Sequence, residues 1–180
     1  MNTIQNLFQQ AQLAEAAYAD FAQYPDPQTA LEKEGFSTAQ AADFVTHWRV
    51  VDQQPDMLSG FSATVFQNIA TGEYAVAVRG TNNVTDWSYA NIGGIGLHGM
   101  AMSQAVDMYN WMLRLTATQG QSVAQYQYIP ESGMPGMPGY QAEELSLAGN
   151  ITVNSAGALA GKMFSVAGHS LGGHLAVVLV

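Results

Sequence analysis

Five residues, Gly168-His169-Ser170-Leu171-Gly172, have the Gly-x-Ser-x-Gly spacing that can present a serine hydroxyl as a nucleophile. A serine raised on a sharp turn between a strand and a helix stands clear of the sheet, and flanking glycines leave room for the tight backbone. The amino end of the following helix also favours developing negative charge. A bare match arises by chance in about one in ten chains of this glycine and serine content, so the setting decides. Here "KMFSVA" reads as a buried strand and "LGGHLAVVLV" as a helix start, which is the order such a turn requires. An attacked acyl carbonyl then needs donors for its oxyanion. The backbone amide of Leu171 is one, and a second comes from a loop that follows an earlier strand. "EYAVAVR", which runs directly into Gly80-Thr81, is the candidate strand. Losing one oxyanion donor costs about 100- to 1000-fold in turnover, so this loop matters almost as much as the serine.

A serine nucleophile also needs a base, and the histidines are His47, His98, His169 and His174. His174 falls one helical turn after Ser170 on the same face, where it packs rather than reaching round to the hydroxyl. His169 sits at the variable position inside the motif and should point elsewhere, and His98 should order the loop before its helix. His47 precedes the whole motif, and its use as a base would need an unfamiliar chain order. The histidines show no metal-ligand spacing, and without cysteine there is no disulfide, thiolate metal site or cysteine nucleophile. No metal or cofactor is expected. Gly94-Ile95-Gly96-Leu97-His98-Gly99 fits Gly-x-Gly-x-x-Gly, but no strand clearly precedes it and no acid lies about 20 positions on, which argues against a dinucleotide site.

The elements that must position these residues follow from periodicity. Ile4, Leu7, Ala11, Ala14, Tyr18 and Phe21 recur in steps of three and four, which predicts a core-facing helix from Ile4 to Phe21. Asp26-Pro27 reads as the cap and start of a short helix through Glu34, stopped by Gly35, and Ser37 as the cap of a third helix. "WRVVDQ", "FSATVFQN" and "EYAVAVR" read as strands, with a turn at Thr71-Gly72 before the last. Leu97 to Leu115 returns to helical period, with Met108, Met112 and Leu115 on the apolar face and Ser103, Asp107, Asn110 and Arg114 opposite. From Gln119 to Gly149 the pattern weakens, and "PESGMPGMPGY" suits a long loop. There is no internal repeat, and one domain over residues 1–180 is expected.

Two of these stretches carry a family resemblance. "VAVRGTNNVTDWSYANI" resembles the strand, Arg-Gly-Thr and Asp-Trp signature of class 3 lipases, and "VAGHSLGGHLA" resembles their nucleophile elbow. "LHGM" resembles a shortened form of their His-x-Gly-aromatic helix entry, with Met100 in the aromatic's place. More loosely, the stretch from Gly35 to Asn68 is similar to the amino-terminal part of bacterial lipases that carry calcium-binding glycine-rich repeats at their far end. The likeness spans most of residues 30 to 180. It implies an α/β-hydrolase fold, acyl-ester hydrolysis on lipid-like substrates, Ser170 as nucleophile, and Thr81 with Leu171 at the oxyanion hole. It also suggests secretion. The family's calcium-binding repeats have no counterpart here.

The sequence departs from that pattern after the serine. The fold orders its triad as serine, acid, histidine, and after Ser170 there is only His174 and no acid. The expectation is therefore the amino-terminal portion of an α/β-hydrolase domain, truncated after the elbow, with its acid and base in a missing C-terminal part. The last residues, "AVVLV", read as an apolar helix interior with no glycine stop.

Composition narrows the partners. In 180 residues, 48% are hydrophobic and 11% charged, and fourteen acids against five bases leave a net charge of −9. That balance argues against binding nucleic acid through its phosphates. The first residues lack the basic and apolar stretches of a secretory signal, and no run of about 18 apolar residues exists to span a membrane. The expected partner is a lipid or small ester substrate. The same motif would also serve an esterase, a phospholipase or a thioesterase, and a hydrolase-derived fragment without turnover is the non-catalytic alternative.

Overall fold

The computed structural model describes residues 3–80, 95–133 and 135–178, with backbone alone for 95–100 and 178. It is a mixed α/β protein, and its described elements gather into two compact units. The first unit holds three helices, α1 (Thr3–Ala16), α2 (Pro27–Lys33) and α3 (Thr38–His47), then strands β1 (Trp48–Gln54), β2 (Ala63–Asn68) and β3 (Tyr74–Val78). It is completed from later in the chain by β6 (Phe164–Gly168) and α5 (Leu171–Val178). The second unit holds α4 (Ile95–Thr116) and the strands β4 (Ser122–Ile129) and β5 (Glu144–Thr152).

The strands of the first unit stand in the order β1-β2-β3-β6. The first two pairings are antiparallel, and the last is parallel, with Val78 opposite Gly168. Because β3 and β6 are parallel, their carboxyl ends open at the same end of the sheet, which places the Gly80 turn beside the Ser170 turn. The central strands are buried on both faces, as the nearly continuous apolar run of β3 requires: Val65, Phe66, Ala75, Val76, Ala77 and Val78 are all fully buried. On one face Phe66, Ala75, Ala77 and Ala167 pack against Leu13, Ala14, Ala17, Leu31 and Phe44 in a single cluster. The small residues on both sides let the helices approach closely, and edge-to-face contacts of Phe66 with Phe21 and Phe44 fill the wider end.

Local signals set the helix starts. The Asp26 carboxylate caps α2 by accepting from Thr29 N–H at 3.0 Å, with Pro27 in the first turn. Ser37 and Gln40 form a reciprocal capping box at the start of α3. The first helix is shorter than its periodicity predicts. It ends at Ala16, and the chain is diverted by two side chains: Asp20 accepts from Ala22 and Gln23 N–H, while Gln53 of β1 accepts from Phe21 N–H and donates to Ala19 C=O. Those bonds offer the backbone an alternative to the helical ladder. The buried side of α1 is also displaced: Leu13, Ala14 and Ala16 are in the core, whereas Ile4, Leu7 and Phe8 are exposed.

In the second unit the expected loop between Gln119 and Gly149 is mostly a β-hairpin. Residues 122–129 pair antiparallel with 144–152, and the proline- and glycine-rich segment is its connection, closed by a bridge between Ser132 and Gln141. Alternating polar residues on both strands concealed it. The helix α4 is buried more broadly than one apolar stripe predicts. Met108, Met112 and Leu115 are in the core, but so are Gln104, Asn110 and Trp111. Asn110 faces β4, where its amide accepts from Tyr126 N–H and donates to Tyr126 C=O, both at 2.8 Å. It gives the edge of β4 what a further strand would give. Replacing it by the similarly sized Asn110→Leu leaves both groups without that partner and should cost about 1–3 kcal/mol. Urea unfolding monitored by circular dichroism checks this; an unchanged midpoint and slope would show that the pairing contributes nothing.

Candidate functional site

The strand–turn–helix order of the motif is present: β6 ends at Gly168, α5 begins at Leu171, and Ser170 lies exposed on the turn between them; β6 itself is not the buried strand expected, since of its residues only Ala167 is buried and Ser165 is exposed. Its φ is 55°, and it is the one non-glycine residue with positive φ among the described residues. A side chain in that left-handed region costs about 1–2 kcal/mol per residue and persists only where the surroundings over-determine it. The surroundings here are tight. A methyl group at Gly168 would lie 2.3 Å from the Gly172 carbonyl oxygen, and one at Gly172 would lie 2.3 Å from that of Val78. Both flanking glycines are thus dictated by backbone approach, the first within the turn itself and the second between α5 and the end of β3.

The neighbouring turn is pressed as closely. A methyl at Gly80 would come within 2.6 Å of His169 C=O, 2.7 Å of the Tyr18 hydroxyl and 3.1 Å of Ser170 Cβ. The chain leaving β3 therefore passes directly against the serine. Gly80 N–H is already committed, because it donates to the Tyr18 hydroxyl at 3.2 Å. It is therefore not free to serve as an oxyanion donor. Thr81, expected in that role, lies outside the described residues, as do the Asp-Trp stretch and the segment before α4. Leu171 is described: as the first residue of α5 its amide has no acceptor within the helix, so it is open to an external anion.

The histidines separate into different tasks. His174 turns its Nδ1 towards Ser170 C=O at 3.4 Å, back along its own helix. His47 is held at the end of α3 by Asp43 C=O at 2.9 Å. His98 lies within the span of α4, in the stretch described by its backbone alone. His169 meets Tyr18, with Nδ1 3.1 Å from the hydroxyl and the rings edge to face. Among the described residues no side chain hydrogen-bonds to Ser170 Oγ. No group of three or more metal-ligating side chains gathers among the described residues, and no helix among them is long and apolar enough to cross a membrane.

Nothing in the sequence marks Tyr18 as part of the site. It is 151 residues from His169 and 62 from Gly80, so no spacing links it to the site. Its hydroxyl accepts from Gly80 N–H and is free to donate to His169 Nδ1 when that ring carries its proton on Nε2. Burial holds the Tyr18 hydroxyl above its usual pKa of 10.0, with the Glu15 carboxylate pushing the same way against the Gly80 bond and Arg79. The phenol is thus neutral at physiological pH. Beside it, Arg79 is buried and paired with Asp56 at 2.5 Å.

No protein-family model matches the chain, and neither a curated protein nor a solved structure matches it.

The strained serine carries a stability prediction with opposite signs. Ser170→Gly removes the hydroxyl and relieves the left-handed backbone, so it should raise stability by about 1 kcal/mol. Ser170→Ala removes the hydroxyl and keeps the strain, so it should leave the unfolding midpoint close to the parent's. Thermal unfolding of the three chains checks it, and a glycine variant less stable than the alanine variant would show that the turn is not strained.

Proposed function

We propose that this protein is a serine acyl-ester hydrolase of lipase-like character, built on an α/β-hydrolase fold and related to the class 3 lipases. One observation carries the proposal. Ser170 occupies a left-handed turn between β6 and α5, with both flanking glycines dictated by backbone contact and the exit of β3 packed against it. Such strain at a surface-exposed serine has no packing benefit to explain it, and strained residues cluster where geometry serves chemistry. In the proposed reaction Ser170 Oγ attacks the ester carbonyl, its proton passes to a base, and the alcohol leaves. Leu171 N–H and a donor at Thr81 hold the oxyanion, and water then releases the acid.

In α/β-hydrolases the triad runs in the order serine, acid, histidine, and residues 171–180 hold one histidine and no acid. His174 is not that base in this proposal, because it faces the Ser170 carbonyl. A second possibility, a hydrolase-derived scaffold without turnover, is favoured by the lack of any described side chain bonded to Ser170 Oγ. An esterase, phospholipase or thioesterase would use the same turn, and the acyl group is set by residues around it.

The test compares p-nitrophenyl butyrate and palmitate as substrates for the parent and for Ser170→Ala. Ester cleavage should depend on Ser170, falling to the buffer rate in the variant, and the palmitate should be turned over at least as well as the butyrate if the protein acts on lipids. A variant that cleaves at the parent rate would remove Ser170 from the chemistry, and no cleavage by a folded parent would favour the scaffold without turnover.

A further inference from the structure

Ser170, Gly80, His169 and Tyr18 meet at one point although they come from three separate stretches of the chain, and the role of Tyr18 there is not explained by packing. It lies just beyond α1, and its hydroxyl is spent on two polar groups that belong to the two strand exits: the Gly80 amide after β3 and the His169 ring after β6. We infer that Tyr18 is a positioning residue, a clamp whose hydroxyl fixes the turn at Gly80 against the serine turn and so sets how closely the exit of β3 lies against the nucleophile.

Gly80 has no side chain of its own to anchor it, and the space a Cβ would take is filled by His169 C=O, the Tyr18 hydroxyl and Ser170 Cβ. The Tyr18 hydroxyl satisfies that amide and holds the turn at its present depth. Occupying Gly80 N–H also removes it from competition for an oxyanion. Finally, the same hydroxyl meets His169 Nδ1 at 3.1 Å, so one oxygen ties the Gly80 amide to the His169 ring, and with the imidazole proton on Nε2 it donates to Nδ1. Tyr18 touches no reacting atom. It acts through the placement of the two turns, and a misplacement of about 1 Å in such a site can cost about 100-fold in rate.

This inference depends on the proposal that Ser170 is a nucleophile, and the experiment separates the two. The probe is ethyl p-nitrophenyl hexylphosphonate. Ser170 Oγ forms a bond to phosphorus, p-nitrophenolate leaves, and the hydroxyl proton goes to the base or to water; the released chromophore gives both the limiting rate and the half-saturating concentration. Tyr18→Phe keeps the ring and loses the clamp. The limiting rate should fall about 10- to 100-fold with the half-saturating concentration unchanged, and the Gly80 amide should exchange with deuterium about tenfold faster. His169→Leu should also slow the reaction, and His169→Asn, which keeps an acceptor near the Nδ1 position, should restore most of the lost rate. A purely structural role would not give that recovery. Tyr18→Phe reacting at the parent rate would overturn the clamp and leave Ser170 as nucleophile. A folded parent that releases no chromophore would overturn the nucleophile, and the clamp's function with it.

Discussion

Two parallel strand ends, Val78 of β3 and Gly168 of β6, lie side by side, and the site depends on how closely the backbone can approach at that point. Parallel pairing sends both chains out of the sheet in the same direction, where each must turn at once. Antiparallel pairing would have sent them to opposite ends and separated the two turns. The approach is possible because positions 80, 168 and 172 lack a Cβ, and at each a methyl group would meet another atom within 2.3 to 2.6 Å. The glycines set the spacing, and Ser170 is left to take the left-handed conformation that the spacing imposes.

The rest of the first unit supports that junction. The buried aliphatic residues of β2 and β3 fix the height of the β3 exit, and the small residues Ala75, Ala77 and Ala167 let the amino-terminal helices lie close on the sheet. The early end of α1 is part of the same arrangement. Had the helix run on to Phe21, Tyr18 would have followed the helical axis. Instead Gln53 and Asp20 hold the segment after Ala16 in a turn, from which the Tyr18 hydroxyl meets both Gly80 and His169. A polar side chain of the edge strand β1 thus contributes to placing a residue on the other side of the sheet order.

The second unit shows a different balance. Its hairpin has few buried side chains, with Leu145 and Leu147 exposed on β5, and its backbone is satisfied partly from outside the sheet by Asn110. A buried amide in the middle of a helix is costly unless both its donor and acceptor are used, and here they are used on a single residue. That explains why α4 carries Asn110 on a side that a simple apolar stripe would give to solvent.

Much of the first unit was legible in the sequence, because the signals there are local. Caps at Asp26 and Ser37, the nearly continuous apolar run of β3 and the Gly-x-Ser-x-Gly spacing around Ser170 are each read within a few residues, so they mark the elements and the serine without knowledge of the fold. The extent of α1, the hairpin at 122–152 and the burial of Asn110 were not legible, because each is decided by partners that are distant in sequence or by polar residues that carry no hydrophobic period. Ser170 and Leu171 could be named from the motif alone. Tyr18 could not: the sequence places it 62 residues from Gly80 and 151 from His169, and only the parallel pairing of β3 with β6 brings the three together.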